Sequence, residues 1–379
     1  MCKLYCKQFF GDGCFERSNQ SFDQRILMKR RLSPQDWVLI IACLLCQSIP
    51  VLACTHIGRD LSDYDCLEYD ADQSVFELRC PFAWTDNTKC IVLNKNERLE
   101  GNGYFIDLNG VSNWEGLVRT APSDNRGPSS LEDAPVINNV HTMGGESSHR
   151  GGFIIQSGQK HFIVKNCSSS GVIQGHRCSP CLGGGGICGM LCSGDILITR
   201  CWSSGEIRGY TAGGIAGRHF GSKGDDESNA GTATISHCYS TGDIVGAGSS
   251  GICGNTAGWG NTATITIKQC YSLGKICDYA SGGITGTATG SHNGHAFITN
   301  CYSRGDITEY AGGICGTNTG QSAGTVILTN VYSSGKMLHS GAGGLIAHIR
   351  NDAHLTRITM SVYNGDMGSM IRVNDAVGG

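Results

Sequence analysis

Proline is scarce in this chain, 7 residues in 379, and none follows Pro180. A long proline-free stretch is what a continuous hydrogen-bonded ladder requires, because proline donates no N–H. Charge is also low: 16% of residues are charged and the net charge is −3. No basic patch stands out, which argues against nucleic acid as a partner. The 3.6-residue helical period is absent from the repeated part of the chain. So are an HExxH pair, a nucleophile elbow and a phosphate-binding loop, which removes the commonest local signatures of metalloproteases, α/β-hydrolases and nucleotide-binding enzymes. The apolar run Trp37 to Cys46 is short and interrupted for a spanning helix, which needs about 20 residues.

Glycine (56) and cysteine (21) are abundant instead. No Gly-X-Y period exists, so the glycine marks turns and not collagen. The cysteine content points to an oxidising compartment. The N-terminal region agrees: Met28-Lys-Arg-Arg31, the apolar run and the small residues of Val51-Leu-Ala53 have the order of a secretory signal peptide cleaved after Ala53. The expected organisation is therefore a non-native or cytoplasmic extension over 1–27 and a signal peptide or signal-anchor over 28–53. A Cys-rich cap follows over 54–90, with Cys54, Cys66, Cys80 and Cys90 free to form two bridges. Irregular coils over 91–166 and regular repeats over 167–379 complete the chain. A lipoprotein acylation site at Cys54 is an alternative.

The regular part repeats a ten-residue phrase, as in ISHCYSTGDI from Ile235 and ITNCYSRGDI from Ile298. Aligning on its cysteine gives Cys167, Cys201, Cys238, Cys270 and Cys301, followed by Val331 and Val362, at spacings of 30 to 37 residues. An aliphatic residue stands three before the slot (Ile198, Ile235, Ile267, Ile298), an aromatic one after it and a glycine four after it. About fourteen residues on comes a second aliphatic set among small residues, as in Gly-Gly-Ile215 and Gly-Gly-Ile314. A period near 30 means stacked supersecondary units. Short alternating segments such as Ala263-Thr-Ile-Thr-Ile267 read as strands. Together these predict an all-β right-handed parallel β-helix with one coil per repeat. Coils would stack about 4.8 Å apart, so that equivalent residues form columns.

The phrases GGICG, GGITG and GGIAG, alternating with NCYSRGDI and HCYSTGDI, resemble the GLUG-type repeats of secreted and surface adhesin-like proteins. The earlier Leu99-Glu-Gly-Asn-Gly-Tyr-Phe-Ile-Asp-Leu108 resembles the first coils of pectate-lyase-like β-helices. The resemblance covers about Cys167 to Met367. It implies a β-helix outside the cell and an adhesion or polysaccharide-related role; the high cysteine content and the insertion around Cys178 depart from the pattern.

The slot that accepts Cys and Val alike reads as small, inward and apolar, with inter-coil disulfides as the alternative. Cys188, Cys253 and Cys315, alternating with Ala216 and Thr285, read as a second packing column. The stripe Trp202, Tyr239, Tyr271, Tyr302 and Tyr332 then faces outward, as flank stacking and as the candidate ligand-binding surface for sugars. The serine after it reads as starting a turn. Five residues after the cysteine, Glu206, Asp243, Lys275, Asp306, Lys336 and Asp366 read as a solvated charge ladder; Glu206 and Asp243, its one adjacent acid pair, are a less favoured catalytic alternative. Cys178, Cys181, Cys188 and Cys192 have the residue types of a zinc knuckle, although a disulfide-stapled insertion suits a secreted chain better. Gly183 to Gly186 read as part of that turn insertion.

The leading functional expectation is a secreted or surface β-helix that binds a polysaccharide or cell-surface glycan without catalysis and needs no cofactor. One alternative is a polysaccharide lyase, hydrolase or epimerase with Asp107, Glu146, His149 and Arg150 as candidates on the irregular coils. The other is a wall, fibre or virion component that self-associates through its C-terminal edge. Membrane contact is expected only through residues 37–53, if that segment is not cleaved.

Overall fold

Each regular coil turns its first corner on a single residue. Asn166, Arg200, His237, Gln269, Asn300 and Asn330, each just before the cysteine slot, all have φ between 51° and 56°. One left-handed residue redirects the chain from one sheet to the next, a conformation asparagine tolerates better than most residues. Stacked asparagines reinforce it: Asn330 Nδ2 donates to Asn300 Oδ1 at 2.7 Å, and Asn166 Nδ2 to Asn138 Oδ1 at 2.8 Å.

The computed structural model describes residues 55–59, 61, 64–122, 126–176, 182–222, 231–348, 355–359 and 362–363. These belong to one unit formed by Cys54–His176 and Leu182–Gly379. The expected extension (1–27) and signal segment (28–53), Cys178, Cys181 and the stretch after Tyr363 lie outside the described residues. So do residues 223–230.

The fold is all-β: parallel stacked coils make a solenoid of about 8 turns, without a helix among the described residues. An eleven-stranded sheet runs from Leu67–Asp70 to Leu355–Thr359 and a ten-stranded sheet from Phe82–Ala83 to Val362–Tyr363. A third face is a ladder of single bridges, Gly152–Gly185–Gly213–Ser250–Gly282–Gly312–Gly343. Gly185 and Gly186 therefore belong to this face and not to a turn insertion. The ladder glycines lie against backbone, a Cβ on Gly213 meeting the Ala216 carbonyl at 2.0 Å, and the residue after each faces the ten-stranded sheet, as Gly214 faces Ser240.

The first sheet's inner column is Leu99, Ile137, Val164, Ile198, Ile235, Ile267, Ile298 and Leu328, held in register coil to coil and fully buried. Each such side chain contributes about 1.5–3 kcal/mol on burial, an upper bound set by the extended reference chain. The predicted second aliphatic set is also inside, from Ile187 to Ile314. At the last coil the register differs from the sequence alignment. Tyr332 pairs with Val362 and Ser333 with Tyr363, so Val362 is one residue off the cysteine slot.

At the N-terminal end, Leu67–Asp70 and Val75–Leu78 form an antiparallel hairpin on the edge of the first sheet. A Cys66–Cys80 disulfide ties its ends, and Cys90 is disulfide-bonded as well. The inner face of the hairpin, Leu67, Phe76 and Leu78, joins the core.

Candidate functional site

The ten-stranded sheet carries the predicted aromatic stripe. Its strands alternate strictly: Ser203, Ser240, Ser272, Ser303 and Ser333 are fully buried, whereas the residue before each is half-exposed. Pairing runs Trp202–Tyr239–Tyr271–Tyr302–Tyr332. Rings stack at 6.0 Å and 7° (Trp202–Tyr239), 4.8 Å and 1° (Tyr239–Tyr271), and 4.8 Å and 4° (Tyr271–Tyr302). Each contact adds about 0.5–1.5 kcal/mol beyond area burial. The Arg304 guanidinium lies 5.3 Å from the centre of the Tyr302 ring. Partial burial raises the Tyr271 pKa, with the neighbouring Tyr239 and Tyr302 adding to it.

This stacking decides what the stripe offers. Most ring faces are occupied by the next ring, so the surface presents ring edges and a row of phenolic hydroxyls at the coil repeat. It is a rail of hydrogen-bonding groups and not a series of open stacking platforms.

The expected turn-starting serine is instead the inward partner of the stripe. Ser169, Ser203, Ser240, Ser272, Ser303 and Ser333 have buried hydroxyls without a hydrogen-bond partner. They face the glycines of the third face, Ser240 against Gly214 and Ser303 against Gly283.

The cysteine column is free thiol and buried, from Cys167 to Cys301. Each thiol donates to the carbonyl two residues earlier: Cys167 to Lys165 (3.0 Å), Cys238 to Ser236 (3.2 Å), Cys301 to Thr299 (3.3 Å). The Ser236 carbonyl also accepts Arg200 N–H at 3.1 Å, and the Thr299 carbonyl accepts Gln269 N–H at 3.0 Å. The thiol thus fills a second lone pair at the corner. Burial raises the thiol pKa of Cys270; at Cys301 the hydrogen bond with Cys270 raises it first and burial second. Burial also pushes Cys315, in the second column, up to about 12. At Cys238 burial raises the thiol, but its hydrogen bonds with Cys201 and Cys270 outweigh this and lower it; the raised thiols are poor nucleophiles and poor ligands. Cys188 and Cys192 are likewise buried and free, and no cluster of metal-ligating side chains occurs among the described residues.

The charge ladder is partly structural. Asp243 Oδ1 accepts the backbone N–H of Lys275 at 2.9 Å, and Asp306 Oδ1 that of Lys336 at 3.0 Å. Glu206 pairs with Arg208 at 3.0 Å. The acid pair Glu206 and Asp243 therefore has other partners.

Among the candidates on the irregular coils, Glu146 lines an open groove of about 540 Å³ between Gly110 and Val172 and receives Gln174 Nε2 at 3.4 Å. Asp107 accepts Asn109 N–H at 2.8 Å and is not part of that lining. His149 packs on His176, centroids 5.0 Å apart, and its Nδ1 is buried without a partner. Burial, then His176, lowers its pKa. Arg150 acts on Glu115, a residue the sequence reading missed: burial raises the Glu115 pKa against Ser148 and Arg150, and its Oε2 has no partner. Nothing in the sequence marks Glu115, because only the stacking of Trp114 on Ser147 brings it beside Ser148. Also missed were Tyr279 and Tyr310, the exposed aromatics of a later corner; their signal was a tyrosine shortly before the small-residue triplets Ser281-Gly-Gly283 and Ala311-Gly-Gly313.

No family model, curated protein or solved structure matches this chain, so the comparisons add no family to the β-solenoid that its own coils define.

Proposed function

We propose that this chain is an extracellular, GLUG-like β-helix that binds an extended polysaccharide along its axis and does not transform it. The observation that carries the reading is the aromatic stripe: outward, one ring per coil, with phenolic hydroxyls at the coil repeat over Tyr239, Tyr271 and Tyr302. A polymer lying along the axis meets the same donor and acceptor on each coil, so weak contacts add through effective concentration. The carboxylates of the charge ladder at Glu206, Asp243 and Asp306 are held by Arg208 or by backbone N–H groups, which supports binding over bond cleavage. The signal-like sequence over 28–53 and the Cys66–Cys80 disulfide support the compartment.

The test is incubation of the purified protein with neutral, amino and uronate polysaccharides, scoring both retention and released products. Retention without products is expected. Turnover of any polymer would replace this reading with the enzymatic one.

One observation favours that second reading: the Glu115 carboxyl, its pKa raised by burial and one oxygen unpartnered, on the same irregular coils as the Glu146 groove. A raised carboxyl pKa suits a general acid. Products that vanish in Glu115→Gln and Glu146→Gln would establish it.

A further inference from the structure

The most exposed large apolar side chains among the described residues are Leu338, Tyr279 and Tyr310, at 61%, 54% and 49% of full exposure. All three occupy one corner on successive coils. That corner leads from the bridge column Ile276–Ile307–Met337 to the third-face positions Gly282, Gly312 and Gly343. The backbone stacks there too, with Ala280 N–H donating to the Tyr310 carbonyl at 2.9 Å.

The rings at this corner differ from the stripe. Tyr279 and Tyr310 are 5.8 Å apart at 63°, and Tyr310 and His339 are 4.8 Å apart at 58°. Neither pair is parallel, unlike the stacked rings of Tyr239, Tyr271 and Tyr302. Tyr310 also has a seat. A Cβ on Gly341 would meet its Cδ1 and Cε1 at 2.2 Å. One side of the ring therefore lies against the bare backbone of Gly341, and Tyr310 still keeps 49% of full exposure. A carboxylate precedes each tyrosine. Asp278 Oδ1 accepts the N–H of Tyr279 at 2.6 Å, which anchors that carboxylate at the foot of the ring, and Glu309 holds the left-handed turn position at φ 54°.

We propose that the Tyr279–Tyr310–His339 corner is a subsite for one pyranose ring of a neutral or amino-sugar polymer, an inference that rests on the polymer-binding reading above. The C–H face of the sugar lies on the exposed tyrosine face, and Asp278 and Glu309 accept hydrogen bonds from its hydroxyl or ammonium groups. The patch is two tyrosines and a histidine, with Leu338 exposed at the same corner. That is small against the roughly 800 Å² per partner of a stable protein interface, and it has the apolar centre with a few polar groups that marks a small-ligand site. The two carboxylates repel uronates, which sets the specificity.

The experiment is affinity electrophoresis in gels containing a β-glucan, a galactomannan, chitosan or pectate. It compares the wild type with Tyr279→Ala/Tyr310→Ala, Tyr310→Leu and Gly341→Ala, with thermal melts as the control for folding. The wild type is expected to be retarded by a neutral or amino polymer. The double variant is expected to lose about tenfold in affinity or more, Tyr310→Leu to lose affinity although it keeps bulk, and Gly341→Ala to lose affinity by displacing Tyr310 without removing it. Unchanged retardation of all three variants overturns the subsite and leaves the polymer-binding reading standing. Retardation by pectate alone overturns the assigned chemistry. A wild type that no polymer retards overturns both readings. Dimerisation that disappears in the double variant names a second copy of the chain as the occupant and overturns the proposal.

Discussion

Ser272 packs under Gly251 so closely that a Cβ on the glycine would come within 2.2 Å of the serine Oγ. The same pairing recurs between Ser333 and Gly313, at 2.1 Å. At this level the solenoid is wide enough for a hydroxymethyl group opposite a hydrogen atom and nothing larger. The repeated serine and the repeated glycine are thus two halves of one packing contact. The expected outcome is asymmetric. Gly251→Ala destabilises by about 1–3 kcal/mol through overpacking. Ser272→Ala is neutral or stabilising, because it removes a hydroxyl buried without a partner. Denaturant titration of the two variants measures both.

The thiol column predicts a reactivity pattern. Cys167, Cys201, Cys238, Cys270 and Cys301 are buried, whereas Cys277 is partly exposed. In the folded protein a maleimide should label Cys277 and leave the column unmodified; after denaturation the column should label as well. Mass mapping distinguishes the two states, and inter-coil disulfides in the native sample would contradict the account. Cys270→Val should be tolerated, since Val331 fills the equivalent slot with its side chain buried.

His219 gives a pH dependence. Its Nδ1 lies 2.9 Å from Thr256 Oγ1, and burial holds its pKa well below 6.5, with Arg218 adding to the effect. Below pH 6.5 the unfolded chain takes up a proton that the folded chain refuses. Stability is therefore full above 6.5 and falls as pH drops toward the folded value, by at most about 1.4 kcal/mol per pH unit from this residue. His219→Asn, which suits the positive φ of 58°, should flatten the fall in melting temperature between pH 6.5 and 5. His141, His149 and His161, also lowered by burial, account for the slope that remains.

The acidic column is predicted to matter for stability through geometry more than through charge. Asp243→Ala strands the Lys275 N–H and costs about 0.5–1.5 kcal/mol. Asp243→Asn keeps an oxygen in place and costs less. Thermal melts of the pair, at low and high salt, test this; a cost that disappears at high salt for both variants would assign the effect to charge instead.

The coil architecture was legible because columns require it. Ile198, Ile235, Ile267 and Ile298 recur at one place in the phrase, and the structure puts them on one buried line. Cys188, Ala216, Cys253, Thr285 and Cys315 likewise form the bridge column their spacing implied. Three features were hidden. The inward serine reads like a turn former, because Ser before Gly is common in turns and only the depth of the opposite glycine face reveals it. The left-handed corner carries Asn, Arg, His and Gln in successive coils, so composition does not mark it. The last coil slips by one residue at Val362, because Thr329 pairs with Thr359 and the backbone follows that strand rather than the Val-Tyr motif. For the candidate site, the stripe was legible by alternation. That its rings lie face to face, and so offer hydroxyls rather than platforms, depends on ring orientation, which sequence does not encode.

The central claim is that the stacked tyrosines contact a polymer through their hydroxyls. Tyr239→Phe/Tyr271→Phe/Tyr302→Phe tests it most directly, since phenylalanine keeps the 4.8 Å stacking and removes only the oxygens. The measurement is the dissociation constant of this triple variant and of the wild type for the polysaccharide that the wild type holds most tightly. The account predicts an unchanged melting temperature with affinity lowered about tenfold or more. Equal affinities would show that the stripe is a structural flank and contradict the proposed function.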